Sequence, residues 1–473
     1  MKYYKKICLS AAVSAITLAS GVVSAAGVSI WYHGAGNITE SEIVNQIISD
    51  FNSSQSDHVA TLQSFPQDSY NDSVEAAGLS GNLPCVIDVD GPVMPRWAWA
   101  GYMQPLPLDG DVIASFLPGT KGIWNGELYS IGMWDAAVAL YTRQSTLDEL
   151  GLRTPTLDDP WTQMEFSHAL HAAKLSNNFE YALDLGMAWK GEWFPYAFSP
   201  LLQSFGGDMI DRSTYLTAEG ALNGPEAIAF GNYWQSLFEE GYAQGNSQDG
   251  ADRDTGFIEG KYAFSWNGNW AGVATLAGVD DVVFLPAPDF GNGPIIGAAS
   301  WQWGVSSSCD NVEGASAFIE HALQDKYLAS FSDLIGLIPS TANAAMMSKN
   351  YSSGGPLEVF FGLSEAQALV RPVTPGYPVA AKVFEKALAD IADGADVVET
   401  LDAAVDEIDA DYIFCWLLLA KTYCLYSVFK DEKDCVRFNE DDLKVKQSLS
   451  QYTSGYTKKY VIWEMYFLSD EVY

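Results

Sequence analysis

From residue 28 onward the chain alternates short apolar runs with amphipathic stretches, and that alternation constrains its fold more than any other feature. Val28–His33 reads as a strand. Glu40–Phe51 reads as a helix, with Ile43, Ile47, Ile48 and Phe51 on one face and Thr39 placed to cap it. Val59–Phe65 reads as a second strand, Tyr70–Leu79 as a helix and Cys85–Val89 as a third strand. Strand, helix, strand at this spacing predicts a mostly parallel sheet with helices on its faces. Later strands are expected at Ala182–Ala188, Val282–Leu285 and Trp303–Ser306. Later helices are expected at Gln163–Leu175, Pro225–Glu240, Val312–Leu323 and Val379–Ala392, and Lys386–Asp411 reads as two amphipathic helices broken at Gly394. The class is α/β, and the central region is long enough for two lobes.

Charge narrows the functional classes. Of the 473 residues, 25 are Lys or Arg and 60 are Asp or Glu, a formal net charge of -35. Such a polyanion has no basic face with which to release counterions from a nucleic acid or to settle on an anionic membrane. Nucleic acid is therefore excluded as a partner. The bases are also unevenly spread, with 14 of them against 51 acids between residues 27 and 411. That balance suits a salty exterior, where screening mutes self-repulsion.

Residues 1–26 have the pattern of an export signal. Lys2, Lys5 and Lys6 precede an apolar run from Ile7 to Leu18, and small residues lead to a cleavage point after Ala25 or Ala26. Cys8 stands too near the basic start to accept a lipid, so a periplasmic protein without a lipid anchor is expected. Tyr412–Phe429 is nearly all apolar, but Lys421 near its centre argues against a membrane span. The whole of 412–473 differs in texture from the rest and is set apart as an atypical tail of unknown role. Six cysteines are too few for a disulfide framework in a chain this long. Cys85 and Cys309 are favoured as two separate buried thiols, with a disulfide between them the alternative in an oxidising compartment.

The residues with most to say about chemistry are the tryptophans, 13 of them between residues 27 and 411. Trp234, flanked by Phe230 and Leu237 at helical spacing, belongs to a core. Others stand beside Gly, Asn and acids: Trp97 and Trp99 after Asp88–Gly91, Trp134 before Asp135, Trp189 and Trp193 around Gly191 and Glu192, Trp266 and Trp270 around Asn267–Asn269, and Trp301 and Trp303. An indole covers the C–H face of a neutral sugar, while carboxylates and amides take its hydroxyls. Core packing competes with ligand stacking for each single tryptophan.

In their order and spacing these segments resemble the extracellular solute-binding proteins of carbohydrate-uptake ATP-binding-cassette systems, of the maltose and glycerol-phosphate type. The resemblance covers about 27–411. It is carried by Ile30–Gly34, by Asp88–Gly91 with Trp97, and by Trp124–Leu128. Ala136–Leu150 matches with Arg143 where the family usually has Asn. Gly260–Phe264 leading to Asn267–Trp270 and the hinge region Pro286–Pro288 complete it. It implies a two-lobed periplasmic-binding-protein fold of type II, a Venus flytrap with hinge-crossing strands. Lobe one would be 27–136 with 293–345, and lobe two 137–292 with 346–411.

It also implies ligand-binding roles: Asp90 as an early-lobe hydroxyl acceptor, Glu192 and Trp193 as a cleft acid and aromatic, Trp270 as a stacking ring, and Tyr377 as a late aromatic. Trp31 and His33 would lie on the loop after the first strand, and Trp97, Trp134, Asp135, Asn267, Trp301 and Arg371 join the candidates. A neutral mono- or oligosaccharide would bind one lobe, the other would close over it, and a membrane permease would receive the closed form from a monomeric binding protein. Arg96, Arg253 and Arg371 keep an anionic ligand, a glycerol phosphate or uronate, as an alternative.

The enzyme alternative is a secreted glycoside hydrolase with paired carboxylates. No nucleophile elbow, zinc-protease helix or phosphate-cradling glycine loop accompanies them, and no cofactor is expected. His168 and His171 share a helix face without a further ligand nearby. Around Asp249, Asp252 and Asp254 the glycine and terminal glutamate of a calcium loop fall at the wrong places, so a solvated turn is expected.

Overall fold

The computed structural model describes residues 26–245, 253–298 and 301–411. The signal through residue 25, the tail 412–473 and the Asp249 and Asp252 positions lie outside them. In chain order the strands are β1 (Ala26–Tyr32), β2 (His58–Ser64), β3 (Val86–Asp90), β4 (Met103–Gln104), β5 (Lys121–Trp124), β6 (Glu127–Gly132), β7 (Trp134–Asp135) and β8 (Val138–Arg143). There follow β9 (Tyr181–Asp184), β10 (Tyr262–Gly268), β11 (Val282–Leu285), β12 (Ile296–Ala298), β13 (Trp301–Ser306), β14 (Ile338–Pro339) and β15 (Ala368–Val370).

Two sheets organise these strands. The first runs β2-β1-β3-β13-β6-β5, with β4 paired to β13. Strands β1, β2 and β3 are parallel, joined by the helices Ile38–Ser54 and Gln67–Ser80 as the sequence predicts, and β13 returns antiparallel to β3. The helix Ile38–Ser54 buries Ile43, Val44, Ile47, Ile48 and Phe51 against this sheet. Its cap is Asn37, whose side-chain oxygen accepts from the backbone N–H of Glu40 at 3.1 Å, two residues earlier than Thr39 would have it. The second sheet runs β11-β8-β10-β9, and the helices Gln163–Ser176, Trp193–Phe205, Pro225–Glu239 and Tyr377–Ala392 pack into its core. A last helix covers 397–411, after a break at Gly394 whose φ of 97° is open to glycine.

The chain passes between the halves on short ladders. Antiparallel β7 and β14 pair Asp135 with Ile338, and parallel β12 and β15 pair Gly297 with Leu369. Trp134 packs with the first sheet, whereas Ala136 and Ile296 pack with the second.

Cys85 and Cys309 form a disulfide, overturning the expectation of two free thiols. Cys85 immediately precedes β3 and Cys309 follows β13. The antiparallel register sets Val86 opposite Val305, which brings the two cysteines together across the ladder. That pairing is invisible at a separation of 224 residues until β13 is known to lie beside β3.

Candidate functional site

Every residue of β3 is buried, including Asp88 and Asp90 near its end. A buried carboxylate needs a partner. Asp88 meets Nδ1 of His33, and His33 Nε2 lies 3.4 Å from Glu40. Glu40 in turn accepts from the Tyr32 hydroxyl and from the Asn37 amide at 2.8 Å. Burial lowers the His33 imidazole to about 4 and raises the Asp88 carboxyl well above its ordinary range. His33 lies flat against Trp301, with centroids 3.7 Å apart and planes 5° from parallel, and Tyr70 meets the same indole edge-on at 5.6 Å. Trp301 sits opposite Asp90 in the β13–β3 register, so both side chains project from one face of the sheet.

The second lobe contributes a cluster of rings. Trp193 opens the helix Trp193–Phe205, and its ring centroid lies 6.1 Å from that of Trp270 in an edge-on contact. Trp189 stacks near Trp270 at 6.3 Å and 27°, and Tyr196 is 6.0 Å away. Trp193 Nε1 donates to the Leu185 carbonyl at 3.0 Å. Gly268 makes the arrangement possible, because a Cβ there would stand 2.2 Å from the Trp270 ring. Trp270 packs against the cores of both lobes.

Arg371 ties the halves together, at 3 % exposure. Its Nη2 donates to Asp90 Oδ1 at 3.2 Å and its Nη1 to Glu192 Oε2 at 2.5 Å, with a longer 3.4 Å contact to Asp90 Oδ2. The Tyr377 hydroxyl donates to the same Glu192 oxygen. Burial pushes the Asp90 carboxyl up to about 6 against the pull of Arg371. Burial also opposes the guanidinium charge, but Asp90, Tyr377 and Glu192 outweigh it and hold Arg371 protonated beyond its ordinary range. The guanidinium lies 5.1 Å from the centroid of the Tyr196 ring. Nearby on β7, Asp135 accepts from the Ser364 hydroxyl at 2.7 Å and from the Ala136 N–H at 2.9 Å.

Asp90, Glu192, Arg371 and Tyr377 thus form one bonded group, with Trp193 and Trp270 beside Tyr196 and with His33 and Trp301 on the first-lobe side. Asn267 is buried in β10 and caps the Gly268 N–H at 2.8 Å. Trp31 is partly exposed and packs on Phe65 at 4.7 Å.

Two candidates belong to interiors instead. Trp97 is wholly buried with Ile87, Val89 and Met94 on the helix Met94–Trp99, and Trp134 packs on Phe331 at 4.6 Å. Neither is retained as a ligand contact. Sequence reasoning passed over Tyr196 and Gln367. Tyr196 follows Trp193 by three residues inside an apolar helix, a spacing that would have put both on one face. Gln367 carries no motif signal.

Other features do not compete. His168 and His171 are exposed, and His171 contacts Tyr242 at 3.3 Å. The second core leaves a cavity of about 20 Å³ lined by Leu140, Trp234, Trp266 and other mainly apolar residues, room for one water at most. Among the described residues no helix is long and apolar enough to cross a membrane.

Residues 35–329 match the model of the bacterial extracellular solute-binding protein family. No curated protein matches the chain by sequence. Solved structures do resemble it. The GacH receptor of Streptomyces glaucescens, studied with acarbose, has 18% identity and a TM-score of 0.67, covering 82% of this chain and 97% of its own. A solute-binding protein from Thermotoga lettingae bound to α-D-tagatose has 18% identity and a TM-score of 0.68, covering 82% and 100%. The cyclic α-maltosyl-1,6-maltose-binding protein of Arthrobacter globiformis has 21% identity and a TM-score of 0.68, covering 82% and 99%. The fold they share with this chain is the two-lobed one.

Proposed function

We propose that this chain, which belongs to the bacterial extracellular solute-binding protein family, captures a carbohydrate between its lobes for an ATP-binding-cassette importer. One observation carries the reading. Carboxylates from both lobes, Asp90 and Glu192, converge on a single guanidinium beside the clustered rings of Trp193, Trp270 and Tyr196. Rings for the apolar faces of a sugar and charged hydrogen-bonding groups for its hydroxyls is the pairing that carbohydrate recognition needs. The acarbose, tagatose and cyclic-maltosyl ligands named for the structural neighbours support the same class.

Capture follows from two lobes joined by short ladders. A ligand held on the Trp193–Trp270 side gains contacts from the β3 and β13 ends as the lobes approach, so binding and closure favour each other. The lobes divide near Asp135, Ala298 and Ile338. A permease in the membrane receives the closed form, and the export pattern of the first residues supports a periplasmic location. Glu192, Trp193, Trp270, Trp301, Arg371 and Tyr377 are the ligand-facing residues.

The test is ligand-induced stabilisation. Purified protein is titrated with a carbohydrate panel while Tm and tryptophan fluorescence are followed. A Tm rise with altered indole emission and intact sugar supports capture, whereas released monosaccharide points to a hydrolase.

A further inference from the structure

Four buried side-chain atoms of Tyr196, Gln367 and Arg371 have no hydrogen-bond partner among the described residues: the Tyr196 hydroxyl, both amide atoms of Gln367, and Nε of Arg371 itself. Unsatisfied buried polar atoms are rare in folded chains, and several in one place call for an explanation. Ring contact places Tyr196 at Arg371, and helix spacing places Gln367 on the Asp135 side. Tyr196 lies under the Arg371 guanidinium, and its hydroxyl is within the electrostatic reach of Asp135, Arg371 and Asp90. Gln367 ends the helix Glu358–Gln367, three residues beyond the Ser364 that donates to Asp135, and so shares its face. Gly297 on the crossing strand β12 leaves room for Tyr196, since a Cβ there would stand 2.2 Å from the Tyr196 carbonyl.

The chemistry of these atoms selects a ligand class. Arg371 Nε–H donates, the Gln367 amide donates and accepts, and a tyrosine hydroxyl does both. Neighbouring hydroxyls, each able to donate and to accept, match that set. Arg371 itself is not available as an anion hook. Its Nη1 and Nη2 are directed at Asp90 and Glu192, and the bonded group of Asp90, Glu192 and Arg371 has two acids for one base. A uronate or phosphate brought to this place would meet carboxylates whose countercharge is already engaged.

We propose that Tyr196, Gln367 and Arg371 Nε–H form the hydrogen-bonding bed for adjacent hydroxyls of an uncharged sugar, and that Asp90 sets this preference by cancelling the charge of Arg371. The proposal rests on the carbohydrate reading above and deepens it. Asp90 is then a specificity-determining residue acting through Arg371, which answers the anionic alternative raised by the sequence.

The experiment uses the full chain at pH 7.5, with maltose, maltotriose and D-tagatose as neutral probes and glucuronate, galacturonate and maltobionate as anionic ones, followed by calorimetry and thermal shift. A neutral probe binds the wild type, and every anionic probe binds it at least about tenfold more weakly. Asp90→Asn removes one of the two acids held against the guanidinium, leaving Glu192 alone on it, and improves anionic binding about tenfold, the scale of one charge-assisted hydrogen bond. Tyr196→Phe and Gln367→Leu weaken the neutral probe roughly two- to tenfold, the scale of one neutral hydrogen bond. The same two variants leave the Tm of the unliganded protein unchanged or raise it, since they remove atoms that bond to nothing among the described residues. A merely structural role would lower that Tm. An anionic probe that binds the wild type more tightly than any neutral one overturns the proposal while leaving carbohydrate capture in place. So does an Asp90→Asn protein with no anionic gain, or a Tyr196→Phe and Gln367→Leu pair with unaltered affinity. Failure of every probe to bind overturns the carbohydrate reading and this proposal with it.

Discussion

His33 lies flat against Trp301, its imidazole and the indole 3.7 Å apart at the centroids and 5° from parallel. The rear face of that indole is therefore covered by a ring that is itself fixed to Asp88. Stacking support and charge satisfaction meet in one side chain, and two substitutions separate them. His33→Phe keeps a flat ring behind Trp301 but strips Asp88 of its partner. It is expected to cost about 1–3 kcal/mol of stability, as a buried acceptor left unmatched does, while ligand affinity holds. His33→Ala loses the backing as well, and affinity falls about three- to tenfold, the worth of an aromatic contact. Urea unfolding and calorimetry on both variants check the two outcomes.

Asp90 gives the stability of the protein a pH dependence of unusual sign for an aspartate. In the folded state burial holds its carboxyl at about 6, with Arg371 and His33 pulling down and Glu192 pushing up. In the unfolded chain it titrates near 3.9. The folded state therefore takes up the proton first as pH falls. The resulting stabilisation is complete below the unfolded value and is lost as pH rises through about 6. Relative to Asp90→Asn, the wild type should gain roughly 1 kcal/mol between pH 8 and pH 5, read from urea midpoints at each pH.

Gly268 is the position at which a single methyl group should disturb the ring cluster. A Cβ 2.2 Å from the Trp270 ring forces the indole away from Trp189 and Trp193. Gly268→Ala is expected to shift the intrinsic tryptophan emission and to weaken carbohydrate binding about three- to tenfold. An unchanged spectrum would mean that Trp270 accommodates the methyl group without moving.

The disulfide should matter to stability and not to affinity. Cys85 stands at the start of β3, and Asp90 at its other end. Breaking the bond by Cys85→Ser with Cys309→Ser releases a loop spanning 224 residues in sequence. It is expected to lower unfolding free energy by about 2–5 kcal/mol, mainly through the unfolded chain in the loop-entropy account. Ligand affinity should stay within about twofold. Thermal unfolding of the oxidised and substituted proteins, with and without ligand, separates the two effects.

The first-lobe strands and helices were legible because their apolar periodicity is clean. The expected strand Val282–Leu285 coincides with β11, and Gln163–Leu175 falls one residue short of its helix. The helix Trp193–Phe205 was harder to see. It is buried almost all round and carries Pro195 and Pro200, so neither amphipathic spacing nor composition announced it. Among the tryptophans flanked by glycines and acids, Trp193 and Trp270 share one ring cluster, whereas Trp97 and Trp134 pack in interiors. What decides between cleft and core is which side of a strand or short helix faces inward, a property of tertiary packing. Arg371 and Asp90 are 281 residues apart, and no local pattern announces their bond. Tyr196 and Gln367 stand out only because nothing among the described residues answers them.

The disulfide has a consequence for how the molecule is made. Cys85 and Cys309 are consecutive cysteines in the sequence, although everything from β4 to β13 lies between them. On a chain emerging from its N-terminus, Cys85 has to wait for the whole second sheet to appear before its mate arrives. Once Cys8 is removed with the export signal expected of residues 1–26, oxidation in order of emergence makes the native bond without an isomerase, and makes it only after β13 is available to dock beside β3.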